Sequence, residues 1–179
     1  MIRRAFVVYG LMLLGFGRRA WAQLGTASVR YAPLSRAVRI PLDSVSLPWQ
    51  PVPFTAEAMA PATPTTARRR VLISGVLFRR SASDDSSTQD LSALCLTCPH
   101  EQCKVDLVTD PAQLVRIIDR PATHPLFECA CHQSVFDALQ DGARIEGETP
   151  RGLYRFRIAG VSDGMVEIPE IEEVALFEV

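Results

Sequence analysis

A chain of 179 residues with 19 Lys and Arg against 20 Asp and Glu has a formal net charge of −1. That balance argues against a nucleic-acid partner and gives no long-range electrostatic steering. The length suits one domain with an N-terminal extension, and 13 prolines among short apolar runs suit a β-rich, loop-rich domain rather than a helical one.

The N-terminus comes first in chain order. Arg3 and Arg4 precede an apolar run from Ala5 to Gly17, which Arg18 and Arg19 close. As a helix this run reaches about 20 Å, short of the roughly 30 Å of a bilayer core. It therefore reads as the apolar region of an export signal. Ala20-Trp21-Ala22 supplies an A-x-A site, with cleavage before Gln23. Arg3-Arg4-x-Phe-Val is similar to a twin-arginine signal. Retention of residues 1–22 as an uncleaved anchor is the alternative. Both readings place the domain on the periplasmic side of the cytoplasmic membrane.

Residues 23–36 read as linker. Residues 37–47 alternate Val38, Ile40 and Leu42 as a strand does. Residues 48–70 are proline-rich and read as irregular. Val71 to Phe78 is a strand, Ser81 to Asp90 a polar loop tip, and Leu91 to Thr97 a second strand. Asp110-Pro111 reads as an N-cap followed by the first helical position, so a short helix is expected between Lys104–Thr109 and Leu126–Cys129. Asp141-Gly142 signals a hairpin between Val135-Phe136 and Arg144-Ile145. Leu153 to Ile158 alternates, and Asp163-Gly164 turns it into Met165 to Ile168. The tail from Pro169 is acidic and apolar by turns, and reads as an edge strand or a partner-binding segment.

Two boxes carry the chemistry: Cys98-Pro99-His100-Glu101-Gln102-Cys103 and Cys129-Ala130-Cys131-His132-Gln133-Ser134. Each sets one cysteine and one histidine at tight spacing, C-x-H and C-x-x-H. Thiolates are soft, anionic ligands for ferric iron, and imidazole binds iron without adding charge. A [2Fe–2S] cluster held by two of each is less negative than a four-cysteine cluster. It is easier to reduce, at roughly −150 to +300 mV against about −400 mV. The free ring nitrogen of each histidine can exchange a proton as the iron changes charge. Zinc is the competing ligand, and Cys95-Leu96-Thr97-Cys98 is itself a C-x-x-C. Zinc leaves the paired spacings and Ser134 unexplained. A disulfide framework alone leaves the histidines unexplained.

Over roughly residues 71 to 168 the chain resembles the Rieske iron–sulfur proteins. The resemblance implies Cys98, His100, Cys129 and His132 as ligands and a disulfide between Cys103 and Cys131, which an oxidising export compartment permits. It implies a hydrogen bond from Ser134 to a cluster sulfur, which raises the potential. It also implies a third loop, Gly147-Glu148-Thr149-Pro150, whose Pro150 helps to cover the cluster. The implied fold is all-β: an antiparallel β-sandwich spanning 37–179, with a cluster-binding subdomain at about 95–137. Three departures stand out. Phe136 replaces the tyrosine of many quinol-oxidising relatives and cannot donate a hydrogen bond, so a lower potential is expected. Glu101-Gln102 replaces Leu-Gly at the tip, and a glutamate is costly to bury in an apolar quinol pocket. The spacer from His100 to Cys129 is longer than is usual in the family, through an insertion around residues 110–125.

The remaining residues have plainer readings. Cys95 reads as a buried small residue before the first box, with a redox partner for Cys98 as the alternative. His124 reads as a surface-loop histidine, or else as a residue at the cluster edge. Arg68-Arg69-Arg70 reads as a solvated loop end, or as a docking patch for an acidic partner. The resemblance implies the iron–sulfur subunit of a membrane quinol–cytochrome c oxidoreductase, with cytochrome b-type and c-type subunits or carriers as partners and quinol as donor. The alternatives are the small Rieske subunit of an exported molybdenum oxidase of the arsenite-oxidase kind, and a structural zinc module. An oxygenase is a weak reading, because a chain this short with three histidines has no room for a second, mononuclear iron site. No catalytic acid, base or nucleophile stands out, so any enzyme activity belongs to a complex.

Overall fold

The computed structural model describes residues 29–81 and 88–178. The export segment 1–22 and the start of the linker lie outside the described residues. Among the described residues no helix is long and apolar enough to cross a membrane.

The protein is built from antiparallel sheets. A seven-stranded sheet takes β1 (Tyr31–Pro41), β2 (Val52–Ala60), β3 (Arg69–Arg79), β4 (Leu91–Cys95), β9 (Phe156–Arg157), β10 (Gly160–Ser162) and β11 (Met165–Glu172). Its order is β10-β11-β1-β2-β3-β4, with β9 also on β11. The sheet curls until its ends meet: Leu94 bridges Arg155, and the Cys95 N–H donates to the Tyr154 carbonyl at 2.8 Å. Small and β-branched residues fill the interior, among them Ala56, Ala58, Ile73, Ala93, Val166 and Ile168.

A four-stranded sheet of β5 (Asp106–Val108), β6 (Leu126–Cys129), β7 (Ser134–Asp137) and β8 (Ala143–Glu146) follows in simple order. It packs on the outer face of β3 and β4 through Val76, Phe78, Leu94, Phe127, Phe136 and Leu153. This explains the burial patterns. β4 and the second half of β3 are buried at every position, because one face looks into the curled sheet and the other onto the small one.

Between β5 and β6 lies α1 (Pro111–Ile118), where the sequence places it. Asp110 caps it, accepting from the Ala112 N–H at 3.0 Å, and Asp119 ends it with φ 49°. Leu114 and Ile118 bury against Val108, Leu126 and Val135. Asp141-Gly142 (φ 50° and 74°) and Asp163-Gly164 (φ 52° and 69°) make the expected hairpin turns.

Four expectations change. β1 starts at Tyr31, inside the segment read as linker, and gives way at Leu42 to a 3₁₀ turn that buries Val45. Within residues 48–70, read as irregular, β2 pairs with β3 over nine positions from Val52 to Ala60. Its alternation of alanines with polar residues is weak in hydropathy. Pro53 is tolerated because the other edge of β2 pairs with β1 at Leu34–Ala58 alone among the described residues. The tail does not form an edge: β11 runs on to Glu172 between β1 and the β9–β10 side, and α2 (Ala175–Glu178) follows. In the alternating segment 153–158, only Phe156 and Arg157 form a strand.

Candidate metal centre

Both boxes sit on hairpin loops at one end of the small sheet. The first loop is closed by a Thr97–Lys104 bridge, by the Cys98 N–H donating to the Cys103 carbonyl at 2.8 Å, and by the Gln102 N–H donating to the Cys98 carbonyl at 3.0 Å. The second is the turn between β6 and β7, where Cys129 pairs with Ser134. Gln102 and Gln133 hold φ of 59° and 53°, so each loop turns through a left-handed residue one step before Cys103 or Ser134. A side chain there costs about 1 kcal/mol relative to glycine.

Cys103 and Cys131 form a disulfide, with Cα atoms 6.5 Å apart. It joins the two loops across a sequence separation of 28. Cys98 and Cys129 are free and 1% exposed, at the edge of the apolar core between the sheets. Burial pushes the Cys98 thiol up, the backbone at His100 opposes this, and contact with the Cys129 thiol pushes it up further. Phe136 is fully buried in the same core.

The imidazoles lie nearer the surface. His100 and His132 meet edge to face, with centroids 4.7 Å apart and planes at 73°. Each is partly exposed. Glu101 Oε2 lies 3.7 Å from His132 Nε2, and His100, Glu101 and His132 each offer a donor atom within 4.8 Å of the others. The Cys129 Sγ in turn lies within 4.8 Å of the Cys103 and Cys131 sulfurs, and the Cys98 thiol contacts it. Two buried polar atoms in the two boxes lack a protein partner: His100 Nδ1 and Ser134 Oγ. Leaving such groups unpaired costs roughly 1–3 kcal/mol each, so a ligand that satisfies both fits the donor set.

Behind the second box lies the segment from Gly147 to Arg151. Gly147 (φ +94°) abuts Ser134, and a Cβ on it would sit 2.4 Å from Ser134 Cα. Thr149 is buried, and Pro150 is exposed.

Other cysteines and histidines do not join the centre. Cys95 lines the interior of the curled sheet, on the far face of β4 from Cys98, and burial pushes its thiol up. His124 is a half-buried loop residue rather than a free surface one. Its Nε2 pairs with Asp137 Oδ1 at 2.8 Å, its Nδ1 with Thr123 Oγ1 at 3.0 Å, and its ring stacks on Trp49 at 6.3 Å. Asp137 also accepts the Leu139 and Gln140 N–H groups, and through His124 it ties the segment after α1 to β7. That Asp-x-Leu-Gln pattern is an Asx-turn signal, but nothing local announces its pairing with His124. Of the arginine run, Arg70 pairs with Glu57 at 3.6 Å.

No protein-family model matches the chain, and no curated protein matches it.

Proposed function

We propose that this chain is a one-electron carrier of the Rieske type, acting as the iron–sulfur subunit of a membrane quinol–cytochrome c oxidoreductase. The observation that carries the reading is the pair of orphaned buried atoms, His100 Nδ1 and Ser134 Oγ, beside two free buried thiols. An all-apolar core would not place them there, and an iron–sulfur group would use both. Cys98 and Cys129 would hold one iron, His100 and His132 the other, and Ser134 would donate to a cluster sulfur. Such a group supplies one-electron chemistry at roughly −150 to +300 mV.

The protein's own contribution is arrangement. The core around Phe127 and Phe136 keeps water from the thiols. The Cys103–Cys131 bridge fixes the spacing of the two loops, and the partly exposed imidazoles offer the route to a partner. Antiparallel strands and hairpin loops also support the Rieske fold reading. A second complex, an exported molybdenum oxidase of the arsenite-oxidase kind, is favoured by one feature. Glu101 is exposed beside His132, where an apolar quinol pocket would have to desolvate its charge.

The test is EPR of the dithionite-reduced holoprotein. The expected result is a rhombic signal with average g below the free-electron value. A colourless, EPR-silent protein that contains zinc would overturn the reading in favour of the structural zinc module.

A further inference from the structure

The Ser134 hydroxyl is fully buried and has no protein partner. Its direction is therefore set by the walls around it. One wall is the backbone of Gly147, so close that a Cβ there would lie 2.7 Å from Ser134 Oγ. Arg144 Nη1 holds this segment from within by donating to the Gly147 carbonyl at 3.4 Å and the Thr149 carbonyl at 3.1 Å. The Thr149 hydroxyl donates to the Arg151 carbonyl at 3.0 Å. Arg151 is the one member that reaches out of the small sheet. Its guanidinium donates to Glu172 Oε2 and lies 4.6 Å over the Tyr154 ring. Glu172 ends β11, is 1% exposed, and takes Arg155 Nε on its other oxygen at 2.6 Å. A buried carboxylate with two guanidinium partners is a rigid post.

We propose that Arg151 is a positioning residue for Ser134: clamped on Glu172, it holds the Gly147–Arg151 segment against the hydroxyl and fixes where that hydroxyl points in the thiol–imidazole site. This rests on the iron–sulfur reading above. A hydrogen bond weakens steeply with misalignment, so a loosened segment costs the Ser134 bond, and that bond favours the reduced state.

The test is a redox titration of the holoprotein followed by EPR, on five proteins: unsubstituted, Ser134→Ala, Arg151→Gln, Arg151→Lys and the double variant Ser134→Ala/Arg151→Gln. Arg151→Gln leaves Glu172 paired with Arg155, so the buried carboxylate is not stranded. The expected result is a lower midpoint potential for Ser134→Ala and a smaller shift in the same direction for Arg151→Gln. The double variant matches Ser134→Ala alone, because one bond cannot be lost twice. Arg151→Lys, which keeps the charge on Glu172, recovers part of the shift. An unchanged potential in Arg151→Gln, or shifts that add in full, overturns the clamp while leaving the iron–sulfur reading intact. An unsubstituted protein with no rhombic signal overturns both.

Discussion

Cys98 shows how burial and metal chemistry pull in opposite directions on one residue. Its thiol is raised above its ordinary value of 9.0, mainly by burial, with the Cys129 thiol adding to the effect. In the metal-free protein it is protonated at neutral pH, and ligation requires the thiolate. Two opposite pH trends follow. On the proposed reading, metal uptake should release protons and strengthen as pH rises. The metal-free fold does the reverse: a raised pKa contributes stability that is present below the unfolded-state value and is lost as pH climbs above about 9. Urea unfolding of metal-free protein across that range should show the loss. A flat profile would mean that the thiol is not held in apolar surroundings. Phe136 has its own place at this scale. It is fully buried in the core that holds the thiols, so on the proposed reading the lower potential comes from an absent hydroxyl in a dry site.

At the scale of elements, two hairpin loops must converge from strands that are far apart in sequence. The Cys103–Cys131 bridge closes a separation of 28 residues. In the chain-entropy account, a loop of that length contributes about 3–4 kcal/mol. The double variant Cys103→Ser/Cys131→Ser should lose about that much in denaturant unfolding, and on the proposed iron–sulfur reading should lose its visible absorbance at a lower midpoint. A loss under about 1 kcal/mol would show that packing alone holds the loops together. The segment between β5 and β6 is tied down separately. α1 buries Leu114 and Ile118 against the small sheet, and His124 bonds to Asp137 of β7.

Over the whole molecule, the two sheets share one apolar layer. Phe78 of β3 is fully buried there, 5.7 Å from Phe127 of β6 and 6.0 Å from Trp49. Truncating a buried phenylalanine to alanine costs about 3–5 kcal/mol, a large share of the 5–15 kcal/mol that holds a domain together. Phe78→Ala should therefore lower the midpoint of both sheets together. Far-UV circular dichroism and, on the proposed iron–sulfur reading, visible absorbance should fall in one transition. Two separated transitions would mean that the small sheet folds as an independent unit. The Arg151–Glu172–Arg155 group links the same two sheets by charge where Phe78 links them by packing.

The chain by itself determined what is local. The two Cys/His boxes, the Asp110-Pro111 helix start and the Asp-Gly hairpins are legible because spacing, capping and turn chemistry act within a few residues. The Cys103–Cys131 pairing was legible only through resemblance to a family. The tertiary structure alone decided the rest. β2 hid behind prolines and alanines because its strand character comes from burial against β3, not from its own hydropathy. His124 looked like a loop residue because its partner Asp137 lies across a strand pairing. Glu172 looked like part of an acidic tail because only the curling of the large sheet brings it beneath Arg151. In each case the deciding energy is a contact between distant segments, and no window of sequence contains both sides of it.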